Sequence, residues 1–196
     1  MFQFLFAGLV TALSLSPAFA HTGIGDTAGF THGFVHPVSG IDHVLAMVAV
    51  GIFAAHLGGR ALWLVPLTFV SMMAVGGAIG MAGVQIPYVE VGIGLSVVVL
   101  GAAIAFQLGV PVLAAMAFVG AFAIFHGHAH GAEMPDTASG FAYGMGFVLA
   151  TAVLHMVGIG IGILIGRLGQ MHGKRVSQVG GGLMAATGIA ILAGVV

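Results

Sequence analysis

Two imidazoles, a carboxylate and a thioether are grouped in His36-Pro37-Val38-Ser39-Gly40-Ile41-Asp42-His43-Val44-Leu45-Ala46-Met47, at the head of a long apolar run. Counted at 100° per residue, His43 and Met47 lie within about 20° of His36, with Asp42 roughly a third of a turn from His43. Pro37 suits a first helical position, where its missing N–H would have no partner anyway. His36 would then sit just outside the helix, above Asp42 and His43. Ionisable groups in such apolar company are costly, so they read as functional; the bland alternative is a hydrogen-bonded polar plug between helices. A second group is His126, His130 and Glu133, spaced i, i+4, i+7 and therefore on one stripe if the segment is helical. Two His with a carboxylate suit a borderline divalent metal such as Ni²⁺, Co²⁺ or Zn²⁺. Ca²⁺ and Mg²⁺ want more oxygen ligands, and Cu(I) would favour sulfur.

The elements that must position these groups follow from composition. The 196 residues are 60% hydrophobic and only 5% charged, against about 25% charged in a soluble domain, so the chain is read as a polytopic, all-α transmembrane helical bundle. No basic run is present to bind phosphates, so no nucleic-acid partner is expected. Cysteine is absent, which removes disulfides, thiolate zinc sites and iron–sulfur clusters. Ten His stand against four Lys/Arg and five Asp/Glu, and 34 Gly allow close helix packing.

Residues 1–20 have an apolar core, a break at Pro17, and Ala18-Phe19-Ala20 as a small-x-small cleavage site, although the usual positive start is missing. They read as a signal peptide, with an uncleaved first span as the alternative. Residues 21–196 then form a single transmembrane domain of six mature spans. Residues 21–36 make an outer segment or short re-entrant piece, and spans follow at about 37–58, 61–82, 88–106, 110–125, 139–165 and 176–196. Gly76 and Gly80 form a small-xxx-small pair in the second span. Residues 126–136 read as a polar, His-rich loop, because Gly127 and Gly131 argue against a long helix there.

This frame gives a definite charge map. With the mature N-terminus outside, Arg60, Arg167, Lys174 and Arg175 all fall on the cytoplasmic side, as the positive-inside rule requires. Asp26, Glu90, Glu133 and Asp136 fall outside, together with His32, His36, His126, His128 and His130. Both His clusters therefore lie at the outer ends of spans and can meet.

His32, Met47, His128 and His155 form a second tier of metal or pathway residues. Met47 lies one turn below His43, while His128 points away from the stripe of its neighbours. His155 stands alone in an apolar span and reads first as half of an interhelical hydrogen bond. His56 and His172 read as interfacial rather than as ligands.

The two motifs, H-P-x-x-G-x-D-H-x-x-A-M at 36–47 and F-H-G-x-A-H-G-x-E at 125–133, resemble the paired signatures of the HupE/UreJ family. Its members are membrane transporters associated with hydrogenase and urease accessory genes and are regarded as nickel, sometimes cobalt, permeases. The resemblance extends to length, leader peptide and six spans. It implies metal-handling roles for His36, Asp42, His43, His126, His130 and Glu133, with His128 at a variable position. It also selects nickel, where the ligand chemistry alone selects only a borderline divalent ion.

The expectation is therefore a secondary transporter, not an enzyme, of the bacterial inner membrane. It would carry Ni²⁺ or Co²⁺ inward with no prosthetic group, and its partners would be the ion and membrane lipid; a homo-oligomer is compatible with this. No G-x-x-x-x-G-K-[ST] loop occurs to couple it to nucleotide. The rivals are an intramembrane metal-dependent hydrolase, which would need a general base beside an open metal position, and a haem-binding subunit, which a Soret band would reveal. Neutral imidazole is the metal-binding form and its ordinary pKa is about 6.5, so a site of several His should lose metal affinity steeply between about pH 7.5 and 5.5. Equilibrium nickel binding in detergent checks this; a flat curve would sink a histidine site.

Overall fold

The structure is a computed structural model that describes residues 26–134 and 139–195. The signal-peptide expectation for residues 1–20, and Asp136, lie outside the described residues. Seven helices and no strand occupy them: α1 Asp26–Ser39, α2 Ile41–Leu57, α3 Ala61–Met81, α4 Val89–Ala105, α5 Val112–Ala132, α6 Gly140–Arg167 and α7 Gly169–Leu192. Without water to bond the backbone, a helix is the only open-ended element that satisfies every N–H and C=O within itself. Outward faces carry Trp63, Leu67, Leu113, Phe141, Met156, Leu164 and Leu183, all exposed and suited to lipid. The chain is a membrane protein of apolar helices.

Helices α3, α5 and α6 are each long and apolar enough to cross a bilayer, and α1 with α2 makes a fourth, bent candidate. Helix α4 is apolar, but its 17 residues reach only about 25 Å, short of a hydrocarbon core of about 30 Å. Helix α7 has 24 residues but opens on a polar stretch that includes Lys174 and Arg175. Of the six expected spans, three helices and the bent pair qualify by length and apolarity, and the other two rods, α4 and α7, do not. The last rod begins at Gly169 rather than near residue 176, so its basic residues lie inside the helix.

Helix α2 is the axis and touches every other helix. Its buried Ala46, Met47, Ala49, Val50, Phe53 and Ala54 join Val65, Phe69 and Met73 of α3, Val97 and Leu100 of α4, and Val119 and Ala123 of α5 in one core. Gly58 and Gly59, both with positive φ, make the tight turn from α2 into α3. Beyond this turn, α3 lies along α5 at very close range: a Cβ on Gly127 would strike the Met73 carbonyl, and one on Gly131 the Gly77 carbonyl. On the other side, Gly76 faces the Ile124 carbonyl and Gly80 that of His128, as the small-xxx-small pair requires.

Two local expectations are corrected. The first cluster does not ride on one helix starting at Pro37: Pro37 lies inside α1, and the chain breaks at Gly40, where α1 and α2 meet at 81°. Proline removes the backbone donor at residue 37, so the helix is weakened two residues before it ends. Nor is 126–136 a loop from its start, because α5 continues to Ala132 and buries Gly127 and Gly131. The helical cost of glycine, about 1 kcal/mol in water, is outweighed where the missing side chain lets a second helix dock.

Candidate metal centre

Three segments deliver side chains to one place near the break at Gly40. Helix α1 packs on α6 through Gly33 against the Tyr143 carbonyl and Gly146 against the Phe30 carbonyl. This docking sets His36 beside the end of α5. The last turn of α1 is closed by Ser39, whose hydroxyl donates to the His36 carbonyl at 2.6 Å. Gly40 then runs extended into α2, and a Cβ there would stand 2.8 Å from Asp42 Oδ1. The carboxylate folds back into that space and accepts the His43 backbone N–H at 2.8 Å.

The imidazoles form a file. His32 stacks on His36 at 5.7 Å between ring centres, and His36 meets the edge of His130 at 4.7 Å. His130 packs on His43 at 4.0 Å, and His43 on His126 at 4.5 Å. Exposure falls along the file: the His36 side chain is 29% exposed, whereas His126 is 0% exposed. Glu133 reaches back from the end of α5 and accepts from His36 Nε2 at 3.1 Å. His36, His130 and Glu133 each offer a ligand atom within 4.8 Å of the others.

The inner part of the file has more ring nitrogens than protons can satisfy. Ser96 spends its only hydroxyl proton on the Ile93 carbonyl at 2.6 Å, so His126 Nε2, 2.8 Å from Ser96 Oγ, must carry a hydrogen. A neutral His126 then presents a bare lone pair at Nδ1, 3.0 Å from His43 Nε2. His43 Nδ1 points at Asp42 Oδ1, 3.4 Å away, which favours its hydrogen there and a second lone pair at Nε2. His130 Nε2 also aims at His43 Nε2, 2.5 Å away. One nitrogen cannot serve both neighbours. Two nitrogens bound at right angles to a metal about 2.1 Å away are about 3.0 Å apart, so the His43–His126 pair already has ligand spacing. Admitting an ion would need the His43–His130 pair to open by about half an ångström.

Above this point lies a cavity of about 220 Å³ lined by His36, Asp42, His43, Glu90, His130 and Glu133, among others. Three carboxylates therefore border one small space beside the imidazoles, an arrangement suited to drawing in a divalent cation and replacing its water.

Of the residues singled out by sequence, His36, Asp42, His43, His126, His130 and Glu133 are brought together here, with His32 at the outer end. Met47 is fully buried one turn below His43. His128 is not part of the group: its Nε2 donates to the Val84 carbonyl at 2.7 Å and so ties α5 to the turn before α4. His128→Ala should therefore lower nickel affinity less than twofold while costing about 1–2 kcal/mol of stability. Titration calorimetry beside thermal unfolding checks this; equal loss of affinity from His126→Ala, His128→Ala and His130→Ala would mean a flexible His tract. His155 corrects an expectation. Neither of its ring nitrogens has a hydrogen-bond partner, although the ring is 1% exposed. Sequence reasoning did not find Ser96, which fixes the His126 tautomer, or Phe147, which packs on His130 at 4.2 Å. Glu90 was read on the same side as both histidine clusters but not in the cavity that it lines; an acidic residue at the start of an apolar span was its only signal.

No solved structure matches the chain. "Protein HupE" of Rhizobium leguminosarum bv. viciae is 46% identical over 187 residues, covering 94% of this chain and 95% of that protein. The profile described as HupE / UreJ protein matches residues 9–191, which include the bend at Gly40, both histidine segments and all three bordering carboxylates, and the chain belongs to the HupE / UreJ family.

Proposed function

We propose that this chain is a permease that carries a divalent transition metal, Ni²⁺ or Co²⁺, across the bacterial inner membrane into the cytoplasm. The observation that carries the reading is the file of imidazoles from half-buried His36 to fully buried His126, beside a cavity bordered by Asp42, Glu90 and Glu133. Family membership supports the metal, because the HupE/UreJ resemblance implies nickel or cobalt. The site assignment is His36, Asp42, His43, His126, His130 and Glu133, with Glu90 added by its place in the cavity.

These contacts support one order of steps. His36 and Glu133, the more exposed pair, take the hydrated ion first. His130 touches both His36 and His43, so it passes the ion inward as one imidazole lone pair replaces another. Asp42 supplies the compensating charge at the bend and holds His43 in the tautomer that leaves Nε2 free. In this reading residues 1–20 are a removed signal peptide and residues 21–196 a single six-span domain. The mature N-terminus is periplasmic and the four basic side chains cytoplasmic. An inside-negative potential favours divalent entry by about 4.6 kcal/mol per 100 mV, twice the single-charge value, so uptake needs no nucleotide.

Radioactive nickel uptake into liposomes holding the purified protein tests the reading, with cobalt and zinc as competitors. The expected result is saturable uptake that grows with an imposed inside-negative potential and is suppressed by cobalt. Uptake no greater than in protein-free liposomes would overturn it.

A further inference from the structure

A second cavity, of about 260 Å³, opens at the other end of the bundle, where α2, α4 and α6 end and α7 begins. His56, on its wall, lies more than three turns past His43 on α2, about 20 Å along the axis, so this cavity is remote from the imidazole file. Its polar side chains are His56, Gln107, Lys174 and Ser177, each with at least one N–H or O–H to donate. No Asp or Glu stands on the wall; Asp42, Glu90 and Glu133 border the other cavity instead. Ser177 is only 9% exposed, yet its hydroxyl makes no hydrogen bond among the described residues, and Lys174 forms no ion pair there. Helix α7 starts at Gly169, also on the wall, and no side chain caps it. The backbone N–H groups of its first turn are therefore left without a partner within the helix.

We infer that this cavity binds a phosphate group, and that the group it takes is the headgroup of an anionic phospholipid in the cytoplasmic leaflet. The inference rests on the inward placement of the basic residues and is independent of the ion that the imidazole file carries. A wall of donors with one lysine and no carboxylate repels a divalent cation and suits an anion. Phosphate oxygens accept from ammonium, amide, hydroxyl and imidazole groups alike, and lysine meets them as a point charge.

The surroundings select a lipid over a free anion. Phe106 and Leu108, on either side of Gln107 in the chain, are 76% and 47% exposed, and Leu168 beside Gly169 is 52% exposed. An acyl chain can lie against these side chains while its headgroup enters the cavity, whereas free phosphate would leave them bare. The positive-inside rule puts Arg167, Lys174 and Arg175 at the cytoplasmic surface, and basic pockets between helices on that side hold anionic headgroups. The wall draws on α2, α6 and α7, so a bound headgroup would tie the start of α7 to the rest of the bundle. Such a tie matters in lipid, where no hydrophobic force presses helices together.

Native mass spectrometry of the purified full chain, titrated with phosphatidylglycerol in a delipidating detergent, tests the site. Wild type should hold one phosphatidylglycerol tightly. It should bind phosphatidylcholine, whose headgroup carries its own cation, at least tenfold more weakly. Lys174→Gln should weaken phosphatidylglycerol at least tenfold. Arg175→Gln makes the same charge change off the wall and should cost less than about fivefold, the effect of one surface charge on an anionic lipid. Phosphatidylglycerol should raise the thermal midpoint of wild type and leave that of Lys174→Gln unmoved, with circular dichroism confirming that both are folded. Equal weakening by Lys174→Gln and Arg175→Gln, or equal binding of the two lipids, would reduce the effect to general surface charge and overturn the site. Inorganic phosphate that displaces the lipid and raises the midpoint as far, but only with Lys174 present, would overturn the lipid assignment and keep a phosphate site. No response to lipid or to phosphate would overturn both. Nickel uptake is measured separately, so none of these results decides the permease reading.

Discussion

Replacing His43 by alanine is expected to lower nickel uptake by about 100-fold or more while leaving a folded protein. His43 is the one side chain that contacts Asp42, His126 and His130 together. Removing it separates the outer pair, His36 and Glu133, from buried His126, so captured metal has no next ligand. Loss of a group that merely orients a metal ligand commonly costs 10–100-fold, and loss of a central ligand should cost at least as much. Asp42→Asn is the matched variant, because it conserves volume and its side-chain oxygen can still accept the His43 backbone N–H. It removes the charge that holds the His43 tautomer and helps strip water from the ion, so uptake should fall to a similar degree with insertion intact. Uptake in liposomes should be measured beside the circular dichroism and elution volume of each variant. Near-normal uptake by a well-folded His43→Ala protein would show that the ion bypasses the imidazole file.

Both motifs were legible in the sequence because each combines costly residue types at short spacing inside apolar segments. The all-helical membrane class was legible for the same reason: no water-wetted surface can be made from so few charges. The hidden part is what long-range packing decides. Wheel geometry placed His43 and Met47 in line with His36, which was read just outside a helix starting at Pro37, yet the chain bends at Gly40, and His36 connects to His43 through His130. Local propensity read Gly127 and Gly131 as helix breakers, since a single sequence does not display the α3 backbone that occupies the space they leave. Ser96 and Phe147 resemble dozens of other residues in apolar spans. Their roles depend on which ring lies opposite, and that partner is distant in the chain. His155 was singled out as a lone polar group, but its missing hydrogen bond emerges only when every neighbour is in place.

The same packing argument gives the second large effect. Gly127→Ala, a change of one methyl group, is expected to destabilise the protein by about 3 kcal/mol and to remove tight nickel binding. In water-exposed helices this substitution usually stabilises, because alanine is the better helix former by up to about 1 kcal/mol. Here the added Cβ would collide with the Met73 carbonyl, a backbone atom that cannot rotate away. Helices α3 and α5 would have to separate, and overpacking of this kind typically costs 1–3 kcal/mol. The seam would fail along its length, since Gly131 against Gly77, Gly76 against Ile124 and Gly80 against His128 share the same close approach. Hydrophobic force does not hold two helices together in lipid, so lost van der Waals contact has little to replace it. The functional loss follows from position: His126 immediately precedes Gly127 and His130 lies three residues after it, so moving α5 draws both rings away from His43. Gly160→Ala is the control, because no heavy atom lies within 4 Å of a Cβ there. Thermal unfolding in detergent and nickel titration of the two variants should diverge, with Gly160→Ala as stable as the parent or slightly more so. Equal stability of the two variants would mean that α3 and α5 are not held at backbone contact, and the placement of His126 and His130 would need another cause.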